Sequence, residues 1–232
     1  MSEMKIGTWS LISSLEVLGL LIQSGPDFVV IDLEHGSWEK KHLSTAVKLC
    51  ESAGQFSIIR VCSPDIKELQ IAFDCYPNAI QISGMNEMND YLQLIKNGKL
   101  RPTGNLGFSP WTRAGLMFAE TSIFKSPKLI PQVETRKSLD QFMMLSPDEL
   151  SCFFGVFLGR YDLSVDLGCP GEIGSKSVMD ALTELSMFSQ RHNLEFMTVS
   201  NSYADSKHLE KIGVKWISLG SDHTRLMSKP RE

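Results

Sequence analysis

The sequence predicts an α/β fold in which eight parallel strands close into a barrel with helices outside, the (β/α)8 or TIM barrel. Three observations lead to this prediction. Short apolar runs alternate with amphipathic segments along the chain, at a spacing of roughly 25–30 residues that gives seven or eight strand–helix units. The length of 232 residues suits one barrel domain, spanning residues 1–232. Neither glycine-rich fingerprint of open-sheet nucleotide sites, G-x-G-x-x-G or G-x-x-x-x-G-K-[ST], follows a predicted strand.

The strands are predicted from short, largely apolar runs, and the helices from the 3.6-residue apolar repeat between them. Strands are predicted at residues 4–9, 27–32, 56–61, 79–83, 128–134, 152–159, 194–200 and 214–220. Helices are predicted at residues 13–23, capped by Ser13 or Ser14, and at 39–53, 64–75, 87–97, 136–145, 175–191 and 203–211, with a last helix beginning at Ser221 or Asp222. The Gly- and Pro-punctuated segment 101–115 is interpreted as a functional loop.

The composition excludes several classes of protein. A hydrophobic fraction of 42% and a charged fraction of 22% are ordinary for a globular domain with a sizeable core. The net charge of −4, without any Lys/Arg-rich run, argues against a nucleic-acid partner. No stretch approaches the ~18–20 apolar residues of a membrane span, and the first ten residues lack the order of a signal peptide. We therefore expect no membrane partner.

The five cysteines favour a cytoplasmic protein with reduced thiols. They stand at positions 50, 62, 75, 152 and 169, without a C-x-x-C pair, and their number is odd. Because most lie within apolar segments, we expect buried, unpaired thiols. The pattern supports neither a cysteine nucleophile nor a zinc site.

Three predicted strands end in polar, ionisable residues. The run FVVIDLEHG leads to Asp32 and His35, LIPQVE ends at Glu134, and FLGRYDLS contains Asp162. In a (β/α)8 barrel the carboxyl ends of the strands carry the active site. The three strand ends together predict a metal-dependent enzyme.

Glu134 and Asp162 are the candidate metal ligands. They follow neighbouring strands, which lie about 5 Å apart, so both carboxylates can reach one hard cation whose coordination is completed by water or substrate oxygens. Without a nearby cysteine or second histidine, this pair favours Mg²⁺ or Mn²⁺ over structural zinc, with Co²⁺ also possible. The alternative for each acid alone is a helix N-cap, since Asp162 precedes Leu-Ser and Glu134 precedes a helix start at Thr135.

His35 and Arg60 are the candidate catalytic residues outside the metal pair. His35 follows Asp32 by three residues, and an imidazole held by a carboxylate is oriented for general acid–base catalysis. Arg60 lies inside the apolar run FSIIRVC, so its guanidinium must be paired. It can clamp an oxyanion or carboxylate near the metal, or it can form a structural ion pair with Asp32 or Glu34.

Several motifs together resemble the HpcH/HpaI aldolase family, a family of class II, metal-dependent pyruvate aldolases on a (β/α)8 barrel. The motifs are GTW at 7–9, DFVVIDLEHG at 27–36, IIRV at 58–61, QVET at 132–135 and FLGRYDLSVDLGCPGE at 157–172. The resemblance runs from residue 7 to about residue 226 in the expected order and spacing. It implies reversible cleavage of a 4-hydroxy-2-keto acid to pyruvate and an aldehyde through an enolate, and a homo-oligomer, often a hexamer or trimer.

The resemblance also implies catalytic roles. Glu134 and Asp162 match the ligands of the divalent metal. His35, supported by Asp32, matches the acid–base group. Arg60 matches the arginine that stabilises the pyruvate enolate and the carbonyl being cleaved.

The resemblance assigns further residues to substrate binding. Gln132 matches a polar residue that contacts the keto acid. The backbone amides around Gly159, Arg160 and Tyr161 match a helix start that receives the substrate carboxylate.

The chain departs from the family pattern at three places. Ser83 and Gly84 stand where the family has a Pro-Met-Val strand end, Leu106 replaces a loop arginine, and Arg160 replaces a proline. Arg160 and Arg101 either meet an acidic or phosphorylated aldehyde or are solvated loop residues. These changes leave the metal and acid–base residues in place, so they concern the aldehyde, and we expect specificity to depend on Arg160 and the loop at 101–113.

Two other functions remain open. One is a lyase acting on acyl-CoA esters such as citramalyl- or malyl-CoA, against which the His35 motif and the lack of a basic groove argue. The other is a repurposed homologue that binds a keto acid without aldolase activity. The altered strand end and loop favour it, whereas the complete set of catalytic residues argues against it.

Overall fold

The predicted strands and the closed barrel are confirmed by the computed structural model, which describes residues 4–122 and 126–227. Within these residues, eight parallel strands pair in chain order and the last pairs with the first. The strands are β1 Lys5–Ser10, β2 Phe28–Asp32, β3 Phe56–Val61, β4 Ala79–Ile82, β5 Lys128–Val133, β6 Gly155–Leu158, β7 Glu195–Ser200 and β8 Trp216–Ser221. Closure leaves no sheet edge exposed.

Helices cover the outside of the barrel. They are α1 Leu15–Gln23, α2 Lys40–Ser52, α3 Ile66–Asp74, α4 Met88–Asn97, α5 Arg113–Thr121, α6 Arg136–Met143, α7 Pro147–Leu150, α8 Arg160–Asp166, α9 Lys176–Arg191, α10 Tyr203–Ile212 and α11 Asp222–Leu226. Ser14 caps α1 by accepting the Val17 N–H, and Ser221 caps α11. Both caps match the prediction.

Three short helices were not predicted. Helix α5 follows the Gly- and Pro-punctuated segment, α7 is a single turn that starts at Pro147, and α8 begins directly after β6 with Gly159 as its N-cap residue. Helices α7 and α8, with four and seven residues, give few apolar repeats to detect, whereas α5 begins within the segment 101–115 that was interpreted as a loop. Strand β6 also begins three residues later than expected, because Phe153 belongs to the turn after α7 and donates its N–H to Leu150.

The inner face of the barrel changes from apolar to polar along the strands. Its core consists of Trp9, Phe28, Val30, Ile58, Ala79, Ile130, Phe157, Met197 and Trp216. Nearer the carboxyl ends, Asp32, Arg60 and Gln81 occupy matched register positions on β2, β3 and β4. All three are buried, so a layer of polar side chains packs directly against the apolar core of the barrel.

Two smaller expectations can also be compared with the structure. All five cysteines are free, as expected. The prediction that most of them are buried was wrong, because Cys62 is exposed and only Cys50 and Cys75 are buried. In the described ranges, no helix is both long and apolar enough to cross a bilayer.

Candidate active site

A cavity of about 500 Å³ opens at the carboxyl ends of the strands. Its lining includes most of the residues predicted for the site, namely Asp32, His35, Arg60, Gln132, Gly159, Arg160, Tyr161 and Asp162. Glu134 lies beside this lining: a Cβ built on Gly159 would be 3.2 Å from Glu134 Cβ and 3.6 Å from Asp162 Oδ2. The fold therefore brings the predicted residues together at one end of the barrel.

On the β2–β3 side of the cavity, Arg60 is held by two carboxylates and a ring. Its Nε and Nη2 donate to the two Asp32 oxygens over 2.8 and 2.6 Å. Its Nη1 lies 2.8 Å from Glu34 Oε2, and its guanidinium carbon lies 4.4 Å from the centre of the Trp9 ring. The predicted ion pair is confirmed, with Asp32 and Glu34 both as partners, while Arg60 still lines the cavity.

The expected support of His35 by Asp32 is wrong. Asp32 is fully buried and accepts hydrogen bonds from Arg60 and from the Glu34 N–H. The His35 side chain is 65% exposed, and its Nε2 lies 3.9 Å from Glu34 Oε2, beyond hydrogen-bond distance. The reason is the strand geometry: Asp32 is the last residue of β2 and faces inward, whereas His35 lies three residues beyond the strand.

Glu34 is a site residue outside the set predicted from the sequence. It contacts Arg60 and lies near His35, and its charge acts on Glu134. The D-x-E spacing was an available signal, because alternate residues of an extended chain lie on the same face.

At the carboxyl ends of β4 and β5, Glu134 is oriented by two donors. Gln132 Nε2 donates to its Oε2 over 2.7 Å, and the Gly84 N–H donates to its Oε1 over 2.9 Å. Gly84 has a φ of 67°, and a Cβ there would lie 2.7 Å from the Cys62 carbonyl oxygen. The unusual end of β4 thus needs a glycine, and its backbone helps to fix Glu134.

Burial raises the pKa of Glu134 above its usual value, and the negative charges of Glu34 and Asp162 raise it further. The hydrogen bonds from Gln132 and Gly84 act in the opposite direction. The carboxylates here are therefore mutually repelling and partly desolvated, an arrangement that a bound cation would relieve.

The N-cap alternative is wrong for both acids. Thr135 caps α6 by accepting the Ser138 N–H, and Gly159 is the N-cap residue of α8. Glu134 and Asp162 are therefore free of capping bonds to their helices. Asp162 instead lies in the first turn of α8, with its carboxylate near Gly159.

The donor set fits a hard cation held by two carboxylates. Across residues 4–122 and 126–227, no group of three or more His, Cys, Asp or Glu side chains is placed to hold a metal ion. Mg²⁺ is commonly bound by one or two carboxylates, with water and substrate oxygens completing its shell. Glycine at position 159 keeps the space between Glu134 and Asp162 open.

Arg160 is placed differently from both expectations. Its side chain is fully buried, so it is not a solvated loop residue. Its Nε and Nη2 donate to the Ile173 carbonyl, and its Nη1 donates to the Val199 carbonyl and to Asp205. A second bond from Nη2 to Asp205 uses the remaining N–H, which leaves no donor for an acidic aldehyde. Only the backbone position of Arg160 suits the predicted substrate site.

The loop at 101–113 does not face the cavity. The Gly107 N–H donates to Gln70 on α3 over 2.7 Å, and Arg113 pairs with Glu51 on α2 over 2.6 Å. Arg101 lines a separate groove, and Leu106 is fully buried. Within the part of the chain that the structure describes, none of residues 101–113 lines the cavity, and the role of this loop in aldehyde specificity stays a prediction.

The closed parallel barrel, with a cavity at the carboxyl ends of its strands, places the protein in the (β/α)8 class of folds. The chain belongs to the HpcH/HpaI aldolase/citrate lyase family, whose model matches residues 5–229. The predicted family is therefore confirmed, and with it a lyase or aldolase enzyme as the broad class.

Individual relatives agree with this family. The chain is 22% identical over 227 residues to 5-keto-4-deoxy-D-glucarate aldolase of Escherichia coli O139:H28 (strain E24377A / ETEC), covering 95% of this chain and 87% of that protein. The fold is similar to an HpcH/HpaI aldolase/citrate lyase family protein from Burkholderia cenocepacia J2315, with a TM-score of 0.87, 18% identity and coverage of 97% and 91%. It is also similar to the citrate synthase SbnG, with a TM-score of 0.80, 20% identity and coverage of 97% and 89%.

Proposed function

We propose that this protein is a divalent-metal-dependent aldolase that reversibly cleaves a 4-hydroxy-2-keto acid into pyruvate and an aldehyde. The observation that carries this proposal is the convergence of Glu134, Gln132 and Asp162 around Gly159, in the same barrel mouth as the clamped Arg60. Family membership and the aldolase relative in Escherichia coli support the same reaction class.

Glu134 and Asp162 would hold the metal, with Mg²⁺ or Mn²⁺ as the first candidates and Co²⁺ as a further one. When bound, the cation supplies Lewis-acid stabilisation of negative charge on the keto-acid oxygens. Gln132 places one amide N–H on Glu134, and as a lining residue it can offer the other to the keto acid. The first turn of α8, at Gly159–Asp162, faces the same space and suits the substrate carboxylate.

Arg60 is positioned to stabilise the negative charge that develops on the C4 oxygen when the C3–C4 bond breaks. Asp32, Glu34 and the Trp9 ring fix the guanidinium, so little reorganisation is needed when substrate binds. In cleavage, the C3–C4 electron pair goes to the keto-acid fragment as an enolate while the C4 oxygen becomes the aldehyde carbonyl. The guanidinium offsets negative charge on that oxygen during the step.

His35 is the candidate base for the 4-hydroxyl proton. It lines the cavity but remains 65% exposed, so it can take a proton from the substrate, directly or through water, and release it to solvent. Glu34, with Oε2 at 3.9 Å, is the carboxylate placed to attract the ring once it is protonated. A solvent water then protonates the enolate at C3, which gives pyruvate.

Exchange of the pyruvate methyl protons in D₂O tests the proposal without knowledge of the aldehyde. We expect Mn²⁺-dependent exchange in the wild type, loss of exchange with a chelator, and loss in Glu134→Gln with the fold retained by circular dichroism. The matched control is Glu39→Gln, because Glu39 is an exposed acid that pairs with Lys41 and does not line the cavity. No exchange by the Mn²⁺-loaded wild type would overturn the aldolase assignment.

A second assay separates the two proton-transfer steps. With 4-hydroxy-2-ketopentanoate as a probe, pyruvate release is followed by a coupled lactate dehydrogenase assay. Because His35 is assigned to the 4-hydroxyl and not to C3, His35→Ala should lose cleavage and keep methyl exchange. Equal loss of both would contradict that assignment, and exchange without cleavage of any tested adduct in the wild type would favour the repurposed homologue. The homo-oligomer and the cytoplasmic location stay predictions.

A further inference from the structure

A buried glutamine on β4 forms a hydrogen bond to a residue of the candidate site and has no role in the proposed mechanism. Gln81 is fully buried on the inner face of the barrel. Its register partners are Arg60 on β3 and Ile130 on β5, and Ile130 precedes Gln132 by two residues. Gln81 therefore lies one inner layer deeper than Gln132.

Three side chains form one chain of hydrogen bonds that ends at the proposed metal ligand. Gln81 Nε2 donates to Gln132 Oε1 over 2.5 Å. Gln132 Nε2 then donates to Glu134 Oε2 over 2.7 Å. The other oxygen of Glu134 accepts the Gly84 N–H, so both carboxylate oxygens have a fixed donor.

The direction of this chain follows from the chemistry of its end. An ionised carboxylate only accepts hydrogen bonds, so Gln132 must turn its NH₂ group toward Glu134. The Gln132 oxygen then faces the barrel interior, where it needs a donor. Gln81 supplies that donor, and a flip of the Gln81 amide would set two carbonyl oxygens against each other.

The same arrangement leaves an atom of Gln81 without a partner. Among the residues that the structure describes, Gln81 Oε1 is buried and accepts no hydrogen bond. An unsatisfied buried polar atom costs about 1–3 kcal/mol, and an apolar residue of similar shape would avoid this cost. The neighbouring inner positions Ile58, Ala79 and Ile130 are apolar. Stability alone therefore does not account for a glutamine here.

We propose that Gln81 is a positioning residue that fixes the amide of Gln132 and, through it, the carboxylate of Glu134. It acts by holding Gln132 in the one orientation that offers its NH₂ group both to Glu134 and to the cavity. Loss of this donor would let the Gln132 amide reorient and would loosen Glu134. This inference rests on the proposed function, since it takes Glu134 as a metal ligand and Gln132 as a keto-acid contact.

The test compares two buried glutamines that undergo the same change. Gln81→Met keeps length and volume but removes the donor. Gln55→Met does the same at the other end of the barrel, where Nε2 donates, among the described residues, to the Ile22 carbonyl alone. Mn²⁺ affinity is measured by calorimetry, and the KM for pyruvate is measured in the methyl-exchange assay. We expect Gln81→Met to weaken Mn²⁺ binding about tenfold, at the low end for loss of an outer partner of a ligand, and to raise the KM. Gln55→Met should change neither.

A double variant shows whether Gln132 transmits the effect. In a Gln132→Met background, Gln81→Met should cause no further loss of Mn²⁺ affinity, because the bond it removes is already absent. An undiminished effect in that background, or an unchanged Mn²⁺ affinity in folded Gln81→Met, would overturn the inference. Gln81→Leu is the second variant if Gln81→Met does not fold. Failure of the wild type to bind Mn²⁺ would instead count against the proposed function.

Discussion

Two buried arginines line the same cavity and both pair with carboxylates, but the other partners of their N–H groups differ. Arg60, on β3, pairs with Asp32 and Glu34, and 8% of its side-chain surface stays exposed. Arg160, in the first turn of α8, pairs with Asp205 and has no exposed surface. Two carbonyl groups, those of Ile173 and Val199, use its other N–H groups.

The difference lies in what surrounds each guanidinium. Arg60 is held on one side by carboxylates and stacked on Trp9, which leaves part of its hydrogen-bonding capacity directed at the cavity. Arg160 joins the segment before α9, the end of β7 and α10 through one group. A buried arginine near a cavity is therefore a candidate for chemistry only when its N–H groups are not all taken by the protein.

The first prediction is that Arg160→Met lowers the free energy of unfolding by about 3–5 kcal/mol, the usual result of breaking a buried ion pair on one side. The loss arises because the Ile173 and Val199 carbonyls and the partly buried Asp205 lose the donors that Arg160 supplies. Urea denaturation monitored by circular dichroism measures it. The control is Lys176→Met, which breaks an exposed pair with Asp180 and should cost less than about 1 kcal/mol. Equal losses of unfolding free energy in the two variants would contradict a structural role for Arg160.

The second prediction concerns Arg60 and a slightly smaller effect. Arg60→Lys keeps a positive charge beside Asp32 but loses the fixed, two-point geometry of the guanidinium. Removing one preorganised donor of this kind lowers kcat about 10²–10³-fold, equivalent to about 2.7–4 kcal/mol. We expect that loss in the cleavage assay, with a melting temperature close to that of the wild type.

The control for this second variant is Arg113→Lys. Arg113 pairs with Glu51 away from the cavity, and the substitution is chemically the same. Its kcat should stay within about twofold of the wild type, as for a surface change away from the site. If Arg60→Lys behaved like Arg113→Lys, the contrast between the two buried arginines would have no catalytic meaning.

The two arginines also show what could be predicted from the sequence. Arg60 interrupts an apolar strand, so local pattern alone demanded a partner and pointed to Asp32 or Glu34. Arg160 follows a strand end and resembles a loop residue, while its partners Ile173, Val199 and Asp205 lie 13, 39 and 45 residues away. No sequence pattern close to Arg160 predicts these partners.

The same distinction holds for the rest of the fold and site. Strands and long helices repeat a short-range apolar pattern, so the barrel and the strand ends with Glu134 and Asp162 were predictable. The bond from Gln81 to Gln132 spans 51 residues and depends on strand register, which the sequence does not specify. The wrong partner predicted for His35 has a similar cause. His35 is near Asp32 along the chain, but beyond the end of β2 this proximity does not bring the two side chains into contact.

The third and smallest predicted effect is the pH dependence of the Arg160–Asp205 pair. Burial is the largest single influence and raises the pKa of Asp205, but the hydrogen bond and charge of Arg160 and the hydrogen bonds from Ser200 and the Asn201 N–H together lower it further, so that the net pKa lies below its usual value. A carboxyl whose pKa is lower in the folded state contributes its full stabilisation at pH values above its unfolded pKa, which is about 4 for Asp. It loses that contribution as the pH falls through the folded pKa. The wild type should therefore exceed Asp205→Asn in unfolding free energy by a constant amount between about pH 5 and 7, and the difference should shrink below about pH 4. Urea denaturation at a series of pH values measures it, with Asp180→Asn as an exposed control that shows little change. A difference that stays constant down to pH 3 would mean that Asp205 is not the charged partner of Arg160, and would weaken the contrast with Arg60.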